Sequence, residues 1–491
     1  MTSAFKTYLE DMGAIRRHGS SPEMSYYTPL QNLLNEIGRH LKPKVLCVGQ
    51  IPDEGAGTPD FGLYTLSRLG RGKASGILGP SLPPDRGVIE AKPAEDDFDQ
   101  LARSEQVQRY WDRYGLVLVT NYRRFLLVGR DEAGRAVDLE HIELAHDADS
   151  FWELCAHPSR APKNIEQRLE EFIRRVLLHR AVLTQPKDVA WFLASYARDA
   201  LARIEAEPDL PAFAQLKESL EEALGMKFDD KKGAHFFHST LVQTLFYGVF
   251  SAWILWCKTH VEAGQRQPFN ERTAAWHLRL PVLQQLFHAV NDPFLLGRLK
   301  LQELVEWAAM TLRRVDETAF FADFQDEHAV EYFYEPFLEA FDSELRKSLG
   351  VWFTPPEVVD YMVERVDAVL REELGVPDGL ADNRVYVLDP CCGTGSYLIA
   401  ALKRIERTLR AKGEDALVAV ELKRAAMERV CGFEILPAPF VVAHFQLSLL
   451  LESFDAPLGR RVHLGAEEAE RVAVYLTNAL TGWGPPPTGA H

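Results

Sequence analysis

The sequence predicts an α/β protein of several domains from three features: its length, the alternation of strand-like and helix-like segments near both ends, and a glycine bend that follows an apolar strand near position 390. A chain of 491 residues is too long for one hydrophobic core, since single cores stop growing at roughly 250 to 300 residues. We therefore expect a mixed α/β domain over 1–160, a helical connector over 161–345, and a partial doubly wound domain over 346–491.

The first of these parts alternates between the two kinds of periodicity. The pattern predicts helices over 27–40 and 100–114, strands over 44–48 and 87–92, and a hairpin made of 116–120 and 124–128. A Gly/Pro-rich segment, 70–87, separates the first strand from the second. This order of helices and strands is typical of an α/β domain.

The rest of the chain is mostly helical in pattern until position 385. Helices are predicted over 165–178, 189–207, 236–257, 299–312 and 356–374. The apolar run 241–256 is short and polar for a membrane span of about 20 residues, so a buried helix is predicted there. Strand 385–388, a glycine turn and helix 397–412 then form the opening unit of a doubly wound nucleotide-binding sheet.

Composition and charge limit the function. Hydrophobic residues make up 46% and charged residues 26%, as in soluble globular proteins. The N-terminus has no apolar signal segment, and the six cysteines lack paired C-x-x-C spacing, so we expect a cytoplasmic protein with free thiols and no membrane association. The net charge of -16 opposes strong duplex binding, although Arg123-Arg124, Lys231-Lys232 and Arg313-Arg314 could still face DNA.

The most informative segment is VYVLDPCCGTGSYL, residues 385–398. Its glycines allow a tight turn with positive φ and bring backbone N–H groups close to a ligand. The string resembles motif I, DPxxGTGxFL, of the gamma-arranged adenine-N6 DNA methyltransferases, with Tyr397 in the Phe position. The resemblance implies that Asp389, Gly393 and Gly395, with Pro390 in the same bend, contact S-adenosylmethionine. An ordinary glycine-rich turn is the alternative.

Neighbouring segments resemble further motifs of the same family. Residues 350–356, GVWFTPP, resemble motif X, which implies that Phe353 and Thr354 contact the cofactor methionine; the preceding 331–350 resembles the family's lead-in helix. Residues 430–451 resemble motif II and place Glu434 at the end of a second strand, where a carboxylate can accept both ribose hydroxyls. A solvent-facing glutamate is the alternative. Residues 472–480 resemble the motif III region, with Asn478 as a candidate for the adenine ring.

The methyl-transfer tetrad of this family does not follow. Its form is [N/D/S]-P-P-[Y/F/W], in which the polar group orients the adenine amine and the aromatic ring stacks on the flipped base. Residues 291–294, NDPF, lack the second proline and precede motif X, and residues 484–487 are GPPP. We therefore expect a truncated enzyme that binds cofactor but transfers no methyl group alone, with a second polypeptide as the source of the tetrad and of a target-recognition domain.

A second group of chemically suited residues lies near the N-terminus. Asp60 follows Gly57-Thr-Pro, and Glu90 and Lys92 lie in VIEAK, residues 88–92. Two carboxylates and a lysine are what magnesium-dependent phosphodiester cleavage needs, because the carboxylates hold Mg²⁺ and the lysine assists the attacking water. This pattern resembles the PD-(D/E)xK nucleases. A chance surface match is the alternative.

That family often adds two more residues. One is a glutamate from the first helix, for which Glu23, or less favourably Glu36, is a candidate. The other is a supporting glutamine, for which Gln106 or Gln108 on the next helix is a candidate.

Together the motifs resemble a single-chain restriction-modification enzyme, a PD-(D/E)xK nuclease fused to a gamma-type adenine-N6 methyltransferase that acts on double-stranded DNA. No G-x-x-x-x-G-K-[S/T] loop occurs, so ATP-driven translocation is not expected. One alternative is an inactive remnant that binds cofactor or DNA without catalysis. Another, a methyltransferase for RNA or protein, is disfavoured by the nuclease-like front half.

Overall fold

In the computed structural model the chain folds into two compact units, Met1–Val182 and Leu183–His491. Both contain helices and strands, so the predicted α/β class is confirmed. The structure describes residues 3–19, 23–49, 51–53, 55–69, 83–130, 134–207, 213–214, 217–218, 221, 228, 231–259, 268–270, 299–323, 333–342, 354–413, 417–463 and 466–480.

A six-stranded mixed sheet forms the centre of the N-terminal unit. Its strands lie side by side in chain order, and all neighbours are antiparallel except β3 and β4. The hairpin predicted near 120 is confirmed, with Tyr122 at φ 66 in its turn. The strands are β1 Val45–Gly49, β2 Phe61–Thr65, β3 Val88–Ala91, β4 Val117–Thr120, β5 Arg124–Arg130 and β6 Ala136–Glu143.

Helices pack around this sheet. The single helix predicted over 100–114 is wrong in one respect, because the chain breaks near Arg103 into two helices. Asp97 and Ser104 are the physical reason, since each caps a separate helix start: Asp97 accepts from Asp99 N and Gln100 N, and Ser104 Oγ accepts from Val107 N. The helices are α1 Ala4–Arg17, α2 Tyr27–Gly38, α3 Phe98–Ala102, α4 Glu105–Tyr114, α5 Ala148–Ala156 and α6 Lys163–Leu177, with short 3₁₀ turns at Glu23–Tyr26 and Pro158–Arg160.

The C-terminal unit begins with a helical portion, as predicted. Its described helices are α7 Pro186–Ala206, α8 Lys231–Thr259, α9 Leu301–Leu312, α10 Glu317–Asp323 and α11 Glu335–Phe341. Within α8, Gly233–Lys258 is long and apolar enough to cross a membrane, but 94% of its most apolar window is buried. This helix packs against α7 and α9, which agrees with the predicted buried helix and gives no indication of a membrane.

A three-stranded parallel sheet organises the end of the C-terminal unit. The order is β11-β8-β7, and the predicted strand, glycine bend and helix are confirmed. The elements are α12 Pro356–Glu372, a 3₁₀ turn Gly379–Ala381, β7 Val387–Asp389, α13 Ser396–Ala411, α14 Val418–Glu428, β8 Val430–Glu434, α15 Pro437–Ser453, the hairpin strands β9 Arg460–His463 and β10 Ala466–Ala469, and β11 Val474–Leu476.

Among the described residues, helices cover only one face of this parallel sheet. Each successive strand, β7, β8 and then β11, is added on the same side of the previous one. Right-handed connections then place the connecting helices on the same face of the sheet. Val430 and Val474 belong to the core cluster on that face. Tyr386, Leu388 and Tyr475 remain 73%, 55% and 53% exposed, and no strand among the described residues pairs with the second edge of β7.

A buried carboxylate fastens α12 to α13 and to the 3₁₀ turn Gly379–Ala381. Asp367 is fully buried and accepts hydrogen bonds of 2.8 Å from Arg371 Nε, Arg404 Nε and Leu380 N. Burial by itself raises the pKa of Asp367, but these donors outweigh burial and hold it below its ordinary value. The contribution to stability is therefore present at neutral pH and is lost as pH falls through the lowered pKa.

Replacing Asp367 with alanine should destabilise the C-terminal unit by about 3 kcal/mol, because two guanidinium groups lose their partner. Chemical denaturation of the full chain, followed for the transition of this unit, measures the effect. Asp360→Ala, at an exposed position of the same helix, is the matched control and should cost less than about 0.5 kcal/mol. Equal losses for the two variants would contradict the assignment.

Candidate functional sites

The carboxyl ends of the three parallel strands form the first site. Asp389 ends β7, Glu434 ends β8, and Asn478 follows β11 by two residues. Thr477 N donates to Glu434 O over 2.8 Å, which joins the second and third strand ends. In open parallel sheets ligands bind at this edge, so the fold gathers three residues that the motifs singled out.

The bend after β7 needs its glycines. Gly393 and Gly395 have φ values of 56° and 90°, a region that residues with a Cβ rarely adopt. A Cβ on Gly395 would lie 3.3 Å from Ala443 Cβ, whereas a Cβ on Gly393 would meet open space. The backbone at Gly393 thus borders space that a ligand can enter, and Pro390 starts the bend without an N–H donor.

Glu434 ties the bend to the second strand. Its Oε2 accepts from Gly393 N over 2.8 Å and its Oε1 from Leu436 N over 2.7 Å. Burial raises the pKa of this carboxyl, and the Leu436 and Gly393 N–H groups offset only part of the effect. Each carboxylate oxygen retains a lone pair, so the group can also accept ligand hydroxyls.

The structure gives fewer contacts for the other predicted residues of this site. Burial also raises the pKa of Asp389, against a hydrogen bond of 3.1 Å from Cys391 N. Thr354 is exposed just before α12, and no contact among the described residues joins it to the bend. Phe353 lies outside the described residues, as does 343–350 of the lead-in segment. Asn478 Oδ1 accepts from Leu480 N over 2.9 Å.

Strand pairing brings the N-terminal triad together. Phe61 pairs with Ile89, so Asp60 and Glu90 lie near each other although 30 residues separate them in the chain. Lys92 Nζ lies 2.8 Å from Glu90 Oε1. Asp60 Oδ2 accepts from Ala91 N over 2.8 Å, which fixes one carboxylate against the strand that carries the other.

Glu90 is the electrostatic centre of this group. Its side chain is 1% exposed, and neither carboxylate oxygen accepts a well-aligned hydrogen bond. Burial and the adjacent Asp60 carboxylate raise the pKa of Glu90 to about 7, against the opposing effect of Lys92. A buried carboxylate without a well-aligned hydrogen bond, next to the half-buried carboxylate of Asp60, has the chemistry of a site for a hard cation.

The additional glutamate and glutamine candidates differ in placement. Glu36 forms an ion pair with Arg39 and lies near His40, both just beyond the end of its helix. The side chain of Glu23 lies outside the described residues. Gln106 Nε2 donates to Tyr110 Oη over 2.9 Å. Gln108 is exposed and bonds to Asp112 Oδ1.

Two tyrosines at this site were not found from the sequence. Tyr27 donates its hydroxyl hydrogen to Asp60 Oδ1 over 2.5 Å. Tyr110 is buried close to the triad: burial raises the pKa of its hydroxyl, and Glu90 and Asp60 add to the rise. Neither belongs to a local motif, so only the tertiary fold identifies them. Among the described residues no set of three His, Cys, Asp or Glu side chains surrounds a metal position.

The basic pairs considered for DNA contact make contacts within the protein. Arg123 donates to Ala94 O and His146 O, and Arg124 packs over the Phe98 ring. Arg313 donates to Phe269 O, and Arg314 lies over the Phe192 ring. The side chain of Lys232 lies outside the described residues.

Comparison with known proteins identifies the C-terminal site. Residues 325–437 match the family model described as N-6 DNA methylase. This segment therefore resembles N-6 DNA methylases. It contains Thr354, Asp389, the glycine bend and Glu434, and so includes the first two strand ends described above. None of the curated proteins matches the sequence.

Several solved structures resemble the chain at low identity. A DrdV–DNA complex determined by cryo-electron microscopy has 17% identity and a TM-score of 0.39 over 97% of this chain and 40% of that chain. A nuclease-deletion mutant of the Type ISP restriction-modification enzyme LlaGI, in complex with a DNA substrate mimic, has 17% identity and a TM-score of 0.36 over 65% and 23%. The type IIG restriction endonuclease BpuSI has 13% identity and a TM-score of 0.23 over 93% and 42%. The chain thus spans less than half of each of these chains.

Proposed function

We propose that this protein is part of a restriction-modification enzyme, in which the C-terminal unit binds S-adenosylmethionine for adenine-N6 methylation of double-stranded DNA and the N-terminal unit cleaves DNA with Mg²⁺. The observation that carries the proposal is the methylase match over 325–437, together with the carboxylate of Glu434 fixed against the glycine bend. A nuclease-like triad in the same chain supports the combination of the two activities.

The residues of the methylase domain fit the cofactor by their donors and acceptors. Asp389 suits the ammonium group of the amino-acid part, and Glu434 suits the two ribose hydroxyls. Phe353, Thr354 and Asn478 remain proposed contacts to the methionine part and the adenine ring. When bound, S-adenosylmethionine supplies the methyl group, while this chain's residues hold and orient it.

The residues of the N-terminal site fit a magnesium ion. Asp60 and Glu90 offer carboxylate oxygens. The observation that favours a cation there is that buried Glu90 accepts no well-aligned hydrogen bond, although Lys92 Nζ lies 2.8 Å from its Oε1. When bound, Mg²⁺ stabilises the negative charge that develops on the phosphate. Lys92 places a positive charge beside Glu90, and Gln106 positions the Tyr110 hydroxyl.

For methyl transfer, we propose that a second polypeptide supplies the [N/D/S]-P-P-[Y/F/W] tetrad and the target-recognition domain. The uncovered sheet face supports this part of the proposal, because parallel sheets are normally buried on both faces. A strand added to the free edge of β7 would end beside Asp389 and bring its own residues to the cofactor edge. A helix that follows such a strand could then cover Tyr386 and Leu388 on the exposed face.

Calorimetric titration of the full chain with S-adenosylmethionine tests the cofactor site. Glu434→Gln should weaken binding at least about tenfold, since hydrogen bonds to a charged acceptor contribute about 1.5–3 kcal/mol each. Glu428→Gln, at a position 54% exposed on α14, is the control and should bind like the wild type. Folding of each variant is checked by circular dichroism.

Two outcomes would contradict the cofactor proposal. One is no binding by the folded wild-type chain at millimolar ligand. The other is equal affinity for Glu434→Gln and Glu428→Gln.

A further inference from the structure

Asp60 is held at both carboxylate oxygens. Tyr27 Oη donates to Oδ1 over 2.5 Å, and Ala91 N donates to Oδ2 over 2.8 Å. The two donors come from different elements, since Tyr27 is the first residue of α2 and Ala91 the last of β3. Together they fix the plane of the carboxylate, which a main-chain bond alone would leave free to rotate.

The phenol that makes this bond is itself fixed. The ring of Tyr27 packs against that of Phe61, with centroids 5.1 Å apart, and Phe61 is the residue directly after Asp60. Strand β2 thus carries both the carboxylate and the surface that orients its donor. A side chain whose own position is fixed by packing holds a functional group more precisely than a mobile one.

The hydrogen bond also leaves Asp60 able to bind a cation. Tyr27 donates one hydrogen to Oδ1, and a carboxylate oxygen has a further lone pair. Because hydrogen bonds to carboxylates are among the stronger ones, Tyr27 favours the orientation of Asp60 in which this lone pair stays available.

We propose that Tyr27 is a positioning residue for Asp60 that increases the affinity of the N-terminal site for a divalent cation. This inference rests on the proposed nuclease function. Tyr27 acts through Asp60 and contacts neither the cation nor the DNA.

The test compares Tyr27→Phe with the wild type in the full chain by two readouts over a range of Mg²⁺ concentration. One is the rise in melting temperature of the N-terminal unit, and the other is the rate of supercoiled-plasmid nicking. The Mg²⁺ concentration for half-maximal effect should increase about 10-fold to 100-fold, as for other partners of metal ligands. The rate at saturating Mg²⁺ should change much less, because phenylalanine retains the packing on Phe61.

Tyr8→Phe is the matched control. Tyr8 is buried in the same unit and donates to Tyr122 O over 2.9 Å, so its removal costs a comparable hydrogen bond away from the site. This variant should lose stability but keep the wild-type Mg²⁺ dependence. If the wild type responds to Mg²⁺ and Tyr27→Phe has the same half-maximal Mg²⁺ concentration, the role of Tyr27 is overturned but the nuclease proposal is not. A wild type with no response in either readout overturns the nuclease proposal and this inference together.

Discussion

Asp60→Asn should reduce Mg²⁺-dependent cleavage of supercoiled plasmid by about 10²-fold to 10³-fold. The substitution removes one of the two carboxylates proposed to hold the cation, and a bound metal contributes several kcal/mol of transition-state stabilisation. Lys92→Ala should reduce cleavage as well, because Lys92 Nζ is the positive charge at 2.8 Å from Glu90 Oε1. Rates of conversion to nicked and linear plasmid provide the measurement.

Asp99→Asn is the control for the first substitution. Its side chain is 74% exposed at the start of α3, so it makes the same chemical change outside the triad and should leave cleavage unaltered. If Asp60→Asn and Lys92→Ala both cleave like the wild type, the nuclease assignment is wrong. A folded wild type that cleaves no DNA with Mg²⁺ would instead favour the inactive remnant.

Much of the fold could be predicted because it is encoded locally. Apolar alternation located β4 and β5, and their hairpin required only the turn between them. The glycine bend after β7 was predictable because positive φ at Gly393 and Gly395 restricts which residues can occupy those positions. The helix break near Arg103 was missed because the apolar periodicity continues across it, while the caps at Asp97 and Ser104 decide where each helix starts.

The N-terminal site could be predicted only in part. Asp60, Glu90 and Lys92 follow a short pattern, whereas the partner that orients Asp60 is Tyr27, 33 residues earlier on another element. The two glutamines lie on different faces of one helix. Gln106 donates a hydrogen bond to Tyr110, whereas Gln108 is exposed. Contacts of this kind depend on packing between elements, which no local pattern specifies.

At the carboxyl ends of the parallel strands, the sequence predicted the site residues better than the exposure of the strands that carry them. Parallel pairing could be expected to bring Asp389 and Glu434 to one edge, and the bond from Gly393 N to Glu434 joins them. The exposure of Tyr386 and Leu388 could not be foreseen, because an apolar strand is expected to be buried. It follows from the strand order, which leaves one sheet face without helices from the part of the chain that the structure describes.

Glu90→Gln should stabilise the metal-free N-terminal unit at pH 8 while having little effect at pH 5. Its pKa is raised from an ordinary value of 4.5 to about 7, so the folded state disfavours ionisation. Folding therefore loses stability as pH rises from about 4.5 to about 7, by on the order of 3 kcal/mol in total. Glutamine has nearly the same shape as the protonated acid and cannot ionise, so it avoids this loss of stability. Thermal unfolding of both proteins in EDTA from pH 5 to pH 8 measures the difference.

At pH 8, Mg²⁺ should make the wild type more stable than Glu90→Gln, the reverse of the order without metal. A cation bound by Asp60 and Glu90 removes the repulsion between them and stabilises only the folded state, so the wild type should gain melting temperature with Mg²⁺ and Glu90→Gln should gain much less. Glu153→Gln, at a position 73% exposed, should behave like the wild type at every pH and Mg²⁺ concentration. If the wild type and Glu90→Gln have parallel pH profiles and respond equally to Mg²⁺, the prediction is wrong. The pKa of Glu90 would then not be raised, and Glu90 would not bind the cation. Because this measurement needs no DNA and no turnover, it separates the cation site from the cleavage reaction.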